Sequence, residues 1–432
     1  MTAAPQASRA AASGVAGSGT RPGRLTALRG RVSGALRLLD RPLTSYYLIL
    51  GCSLLLLALG LVMVLSASSI EALQETESSY TLFVQQVLSA SIGLPLMWIA
   101  SRLPPPLLRK LAYPALFVAV ALLSLTLVPG LQQERYGAHS WVKIGSFGFQ
   151  PSEPAKLALV VWGADLLARK HRMKLLGDLR HLLIPLLPGA GLLTLLVLLG
   201  GDLGTALIFM AVLLALLWVA GAPLRLFAGM VGLVGIVVSI LTVTQPYRMD
   251  RITNYLHPFQ DPMGQGYQAV QAVYAMAYGG LFGVGLGASR EKWLYLPNPA
   301  SDFIFAIIGE ELGLAGTLVV LVLLGLLAYA GLRVAQRCRP PFQRLAAAGV
   351  TTWIIVQAFV NIGGVIGVIP ITGIPLPLVS YGGSALVTTL TGLGMLLSFA
   401  RREPGAKQAL AARGPGLARR VASRVRVRTR RQ

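Results

Sequence analysis

Long apolar runs separated by short connectors recur from Tyr46 almost to Phe399, and no other feature limits the fold so severely. About 20 consecutive apolar residues are enough for a helix to cross the hydrocarbon core of a bilayer. Within lipid, every backbone N–H and C=O must be satisfied inside the segment or in a closed barrel. The period-2 alternation of a barrel is absent. The chain therefore reads as an all-α polytopic membrane protein of about ten transmembrane helices. Composition agrees: 54% of the 432 residues are hydrophobic and 12% charged, about half the charged share of a soluble domain.

Loop charge sets the orientation. The connector after the first span, expected at about 46–65, carries Glu71, Glu75 and Glu77 without Lys or Arg and is expected outside. A second span is expected at about 82–100, followed by a basic connector with Arg102, Arg109 and Lys110. Further basic connectors lie at Arg169-Lys170-His171-Arg172 and at Arg333, Arg337, Arg339 and Arg344. These belong to the cytoplasmic side by the positive-inside rule, which puts both termini there.

Residues 1–44 read as a disordered basic tail, 45–400 as the transmembrane domain and 401–432 as a second basic tail. The net charge of +22 is concentrated in these tails and the basic connectors, which argues against a nucleic-acid partner. Anionic lipid is the expected partner of the tails. Cys52 falls within a span and Cys338 in a basic connector, so neither a disulfide nor a metal cluster is expected. No cleavable signal peptide and no internal repeat is visible.

The polar residues outside the basic segments gather on the external side. One external stretch, about 131–150, precedes a fourth span beginning at Pro151; Gly200-Gly201-Asp202-Leu203-Gly204 forms an external hairpin. The largest external loop, 245–301, joins spans seven and eight and exceeds the usual connection length, which marks functional loops. Within it, Ala269, Val270, Val273, Tyr274 and Ala277 share one helical face, as in a helix lying in the membrane interface. The run Gly283-Val284-Gly285-Leu286-Gly287 has no βαβ context and reads as tight loop packing rather than a dinucleotide site.

Asp302 sits where this loop enters the eighth span, about 302–330. Ionisable residues at such a place are functional candidates. A helix start favours the ionised form that a general base needs, and equally suits a structural carboxylate complementing the dipole. Glu310 and Glu311, about 12–14 Å deeper along the helix, are expected to pair inside the bundle. Glu153 and Lys156, spaced i, i+3, share a face and form either a structural pair or a site offering positive charge to an anionic head group. Lys143, Arg248, Arg251 and Lys292 are cations in external loops, where solvated charge competes with recognition of an anion such as pyrophosphate.

These residues lie in segments resembling the SEDS (shape, elongation, division and sporulation) family of bacterial cell-wall polymerases. The resembling pieces are Trp141-Val142-Lys143-Ile144-Gly145, Phe149 to Lys156, Asp202-Leu203-Gly204-Thr205-Ala206, Arg248 to Arg251, Asp261-Pro262 with Gly266-Tyr267-Gln268, Asp302 to Ala306, Glu310-Glu311-Leu312-Gly313 and Pro375 to Ser384. Ser289 to Pro297 and Ile307 to Glu311 favour the division branch. One departure is local: Asn298-Pro299-Ala300-Ser301 lacks the His common in the family before the key Asp.

The resemblance implies a peptidoglycan glycosyltransferase polymerising lipid II, an undecaprenyl-pyrophosphate-linked disaccharide peptide, at the outer leaflet of the bacterial plasma membrane, at the septum. Asp302 would be the general base. Positive charge for the leaving pyrophosphate would come from Lys143, Lys156, Arg248, Arg251 or a divalent cation such as Mg or Mn, with no tightly bound cofactor. Glu153 and Lys292 complete the candidate substrate-binding set. The implied partners are a class B penicillin-binding protein transpeptidase and other divisome proteins. A lipid II flippase and a non-catalytic division scaffold are the competing readings.

Overall fold

A computed structural model describes residues 43–130, 132–135, 138–144, 147–243, 255, 258–264, 266–406 and 408. Nearly all of both basic tails, together with Arg248 and Arg251, lies outside the described residues. The described chain is mostly helical, and each expected span corresponds to a helix. They are α1 (Thr44–Thr76), α2 (Thr81–Arg102), the short α3 (Pro105–Lys110), α4 (Ala112–Leu125), α5 (Ser152–Arg172), α6 (Leu179–Leu183), α7 (Leu186–Leu199), α8 (Leu203–Ala220), α9 (Leu224–Val243), α10 (Tyr267–Gly279), α11 (Ile304–Arg337), α12 (Pro341–Val365) and α13 (Gly383–Ala400). Among the described residues, seven helical segments are long and apolar enough to cross a membrane, α6 and α7 counting together as Leu179–Leu199.

Two expectations are corrected. The acidic stretch holding Glu71 and Glu75 is not a connector but the last turns of α1, which runs for 33 residues before Glu77 ends it in a left-handed conformation. Nothing between Tyr46 and Thr76 breaks a helix, since Leu, Ala, Ser and Glu continue it and no proline intervenes. The stretch 131–150 is not a simple loop. It contains an antiparallel sheet of β1 (Gln132–Arg135), β2 (Ala138–Ile144) and β3 (Phe147–Phe149), with Val142 opposite both Gln132 and Phe149. On α10, part of the face expected to lie in the membrane interface is turned outward. Val273 and Tyr274 point outward, whereas Val270, Ala272, Ala275 and Gly279 are buried against α11. Small residues win the inner face because the backbones nearly touch: a Cβ on Gly279 would come within 1.8 Å of the Gly309 carbonyl oxygen.

The centre of the bundle is α5, with sixteen of its 21 residues buried. It packs against α4, α8, α12 and α13. Glycines admit close neighbours here: Gly163 faces Leu216 of α8, and Gly349 of α12 faces Val160.

Helix α11 is broken at Gly313 (φ 68°, ψ −164°). The loop after α10 repairs the break. Val284 and Gly285 donate their N–H groups to the carbonyls of Glu310 and Glu311 (2.9 and 3.1 Å). On the other side of the break, Leu314 and Ala315 donate to Gly280 and Leu281 (2.9 and 3.1 Å). Every backbone group freed by the kink that these bonds reach is thereby satisfied without water, as burial requires. Gly283, Gly285 and Gly287 all adopt positive φ, so the glycine run serves backbone docking. Both cysteines are free and buried.

A Cβ on Gly283 would meet the Glu311 carbonyl at 2.2 Å, whereas one on Gly235 in α9 would meet nothing. Gly283→Ala is expected to cost about 2 kcal/mol or more, seen as a lower thermal midpoint in detergent. Gly235→Ala should match or exceed the wild-type midpoint; equal midpoints for both variants would refute the stitched break.

Candidate active site

Pro151 and Pro154 mark the first turn of α5, where missing N–H groups cost little. That start places Glu153 and Lys156 on one face, both buried, with Lys156 at 0% exposure. The Lys156 ammonium donates to Glu153 Oε1 (2.9 Å) and to Gln357 Oε1 (2.8 Å), and lies 5.4 Å above the Trp353 ring centroid. The structural pair expected from the spacing is therefore real, and it is part of something larger.

Trp353, Gln357 and Asn361 recur every four residues and line one face of α12. Trp353 Nε1 donates to Gln357 Oε1 (2.7 Å), and Gln357 Nε2 donates to the Pro375 carbonyl (3.0 Å). One turn further, the Asn361 amide donates to the carbonyls of Asp302 and Ile374, both at 2.8 Å. This polar ladder joins Lys156 to the backbone beside Asp302. Sequence reasoning missed Gln357 and Asn361; their signal was two amides spaced i, i+4 in an otherwise apolar span.

Asp302 itself precedes α11, whose first residue is Ile304. It is half-buried beside a narrow recess lined by Phe303, Val360, Asn361, Thr372 and Gly373. Gly373 adopts φ 71°, and a Cβ there would lie 3.9 Å from Asp302 Oδ2. The recess offers ≈ 10 Å³, about enough for one water, so any larger group must approach Asp302 from its open side. The preceding backbone is fixed from across the bundle. Ser380 Oγ donates to the Ser301 carbonyl (2.6 Å), Tyr381 N donates to the Ala300 carbonyl (2.9 Å), and Gln86 of α2 brackets Ser380 and Gly382 (3.0 and 3.1 Å). Asp202 caps α8 through Thr205 N (2.8 Å) and accepts from Gln150 Nε2 (3.3 Å). Gly204 beside it packs against Ile374, next to Gly373 in the turn between α12 and α13.

Lys292 occupies a different setting. It is buried and committed to Glu311 Oε1 (3.4 Å), Ser66 Oγ of α1 (3.2 Å) and the Gly287 carbonyl (2.6 Å). Glu310 accepts from Ser289 Oγ (2.5 Å) and Arg290 N (2.7 Å). Glu310 and Glu311 thus bind the loop to the broken helix, and Lys292 positions that loop. Lys143 lies in β2 opposite Gly148, with its side chain outside the described atoms. Arg248 and Arg251 lie outside the described residues, so their part in the site stays an expectation. Among the described residues, no three His, Cys, Asp or Glu side chains converge as a metal site. At the opposite end of α5, Asp165 is a further buried carboxylate, held by Arg109 (2.7 Å) and Arg169 (2.6 Å). Sequence reasoning passed over it.

Two variants probe these networks. Gln357→Leu removes an acceptor from a buried ammonium and a donor from Pro375. It is expected to cost about 2–3 kcal/mol, read as a lower unfolding midpoint; an unchanged midpoint would refute the ladder as a structural element. Burial, and then the Glu310 charge, push the Glu291 carboxyl from 4.5 up to about 7. Its ionisation therefore weakens the fold progressively as the pH rises from about 4.5 to about 7, with the full loss above that. Glu291→Gln should raise stability above pH 7 by on the order of 2 kcal/mol and change it little near pH 4. A gain of equal size at both pH values would contradict this.

The sequence profile of the cell cycle protein family that unites FtsW, RodA and SpoVE matches residues 46–404. A Mycobacterium tuberculosis protein named probable peptidoglycan glycosyltransferase FtsW is 45% identical over 374 residues, 87% of this chain and 71% of that protein. Bacillus subtilis stage V sporulation protein E is 39% identical over 351 residues, 81% of this chain and 95% of that protein. Among solved structures, Thermus thermophilus rod shape determining protein RodA aligns with a TM-score of 0.61 at 28% identity, covering 83% of this chain and 97% of that one. A chain from a structure on the coordination of polymerization and crosslinking by a peptidoglycan synthase complex aligns with a TM-score of 0.64 at 31% identity, covering 82% and 97%. With its buried Glu153–Lys156 pair and Asp302 at the mouth of α11 set in this shared fold, the chain belongs to the FtsW, RodA and SpoVE family of SEDS membrane proteins.

Proposed function

We propose that this protein is a peptidoglycan glycosyltransferase that polymerises lipid II at the outer leaflet during cell division, with Asp302 as general base. The observation that carries the reading is the ladder along α12, which ties the backbone of Asp302 to the buried Lys156–Glu153 pair. A polymerase needs a base for one hydroxyl and a fixed electrostatic frame around it. The names of the similar FtsW proteins support the reaction class, and the synthase complex supports a transpeptidase partner.

In this mechanism the 4-hydroxyl of the acceptor sugar attacks the anomeric carbon of the donor. The C–O bond to undecaprenyl pyrophosphate breaks as the new glycosidic bond forms, and the hydroxyl proton passes to Asp302. A single displacement inverts the donor from α to β. The negative charge grows on the departing pyrophosphate, where Lys143, Arg248 and Arg251 are the cations proposed to receive it. Lys156, already neutralised by Glu153, holds the frame; Lys292 holds the loop through Glu311. The class B transpeptidase and other divisome proteins are the proposed partners at the septum.

Glycan polymerisation from purified lipid II, with and without the cognate transpeptidase, tests this. Asp302→Ala and Asp302→Asn should lose about 10²-fold or more of the rate while keeping the unfolding midpoint and partner binding. Polymer from both variants at the wild-type rate would remove Asp302 as base. No polymer from any form, even with partner and divalent cation, would favour the scaffold; lipid II transbilayer movement without polymer would favour the flippase.

A further inference from the structure

At the end of the bundle opposite Asp302, helices α2 and α13 finish side by side in basic residues. Ser101, Arg102, Arg401 and Arg402 line a cleft of ≈ 250 Å³, several times the roughly 30 Å³ of a water in the liquid. Three guanidinium groups share this space, and among the described residues no carboxylate pairs with any of them. Arg102 stacks on Trp98 at 4.9 Å and Arg401 lies over Tyr46 at 5.9 Å. Arg402 donates to the Ser398 carbonyl (2.8 Å) and hydroxyl (2.5 Å), which directs it across the end of α13.

The adjacent carboxylate does not serve them. Glu403 is buried, and the charges near it are Arg333 and Arg337. Burial, and then the neighbouring Arg401 charge, hold the Arg402 guanidinium below the ordinary arginine range. Like charges in one cleft repel unless an anion joins them. The chain's own tails are poorly suited to supply it. Residues 404–432 contain no Asp or Glu, and residues 1–42 contain only Asp40.

The surroundings indicate which anion. Trp98 is 59% exposed; its neighbour Ile99 is also exposed, as is Tyr47, whose ring meets that of Tyr46 under Arg401. Aromatic and aliphatic side chains next to arginines at the end of a spanning helix mark the boundary between acyl chains and headgroups. Guanidinium groups present forked donors suited to phosphate oxygens, and basic pockets between helix ends on this side of a membrane suit anionic headgroups.

We propose that the Arg102–Arg401–Arg402 cleft is a binding site for the phosphodiester headgroup of an anionic phospholipid, whose acyl chains run along the exposed face of α2. This is a local site built by two helix ends, distinct from diffuse attraction of the basic tails to the membrane surface.

The test measures binding of phosphatidylglycerol to the full-length chain in detergent by native mass spectrometry, with phosphatidylcholine as the net-neutral phosphodiester. Arg102→Gln/Arg401→Gln leaves Arg402 to cap α13, and Arg339→Gln removes an exposed arginine elsewhere at the basic end. The double variant should weaken phosphatidylglycerol binding about tenfold or more, with the unfolding midpoint retained in lipid-free detergent, and Arg339→Gln should bind as wild type. Equal weakening in Arg339→Gln, or none in the double variant, would overturn the site in favour of diffuse surface charge. Complete displacement of the lipid by millimolar inorganic phosphate would overturn the lipid in favour of a free anion.

Discussion

A buried ammonium constrains this structure more than any other single group. Lys156 has no exposed surface, and an isolated charge in such a place would cost several kcal/mol. The bundle keeps it by surrounding it with a carboxylate from the preceding turn of the same helix, an amide oxygen from α12 and an aromatic face. Those partners must arrive in register, so α12 can neither rotate nor slide against α5 without breaking several bonds at once. Gln357 extends the demand to Pro375 and Asn361 extends it to Ile374 and Asp302. The turn after α12 that supports Asp302 is thus positioned from the interior of the bundle outward.

A second network works by backbone rather than charge. The kink at Gly313 exposes carbonyl and amide groups that lipid cannot satisfy, and the glycine-rich loop after α10 supplies their partners. Once docked, that loop presents Ser289, Arg290 and Lys292 to the carboxylates of Glu310 and Glu311. The two carboxylates drew notice as charges within an apolar helix. They hold a loop in place at the level where the helix changes direction.

Much of this was legible because lipid is an unforgiving solvent. Apolar runs, basic connectors and the i, i+3 spacing of Glu153 and Lys156 each follow from one-dimensional rules, and the helices appear where those rules put them. What escaped the sequence required knowledge of neighbours. Gln357 and Asn361 are uncharged, so hydropathy barely registers them, and their importance lies in what stands opposite. The docking face of α10 was not legible because close backbone approach, rather than apolar bulk, selected Ala and Gly there. The sheet at 132–149 rests on pairing between strands of three to seven residues, too short for alternation to stand out. The end of α1 was placed early because acidic residues were taken to end the helix, although Glu is a good helix former.

The length of α1 has a consequence for how the protein sits in different membranes. At 1.5 Å per residue, 33 residues extend for about 50 Å, well beyond a ~30 Å hydrocarbon layer. Ser66 lies about two-thirds of the way along this rod and contacts both Glu311 and Lys292. The loop leading to Asp302 is therefore levelled against a protein ruler rather than against the lipid surface. A thicker or thinner bilayer shifts where the headgroups begin, while the height of the loop within the protein stays constant. Under the proposed function, membrane thickness then sets how far a lipid-borne substrate must rise or sink to meet Asp302.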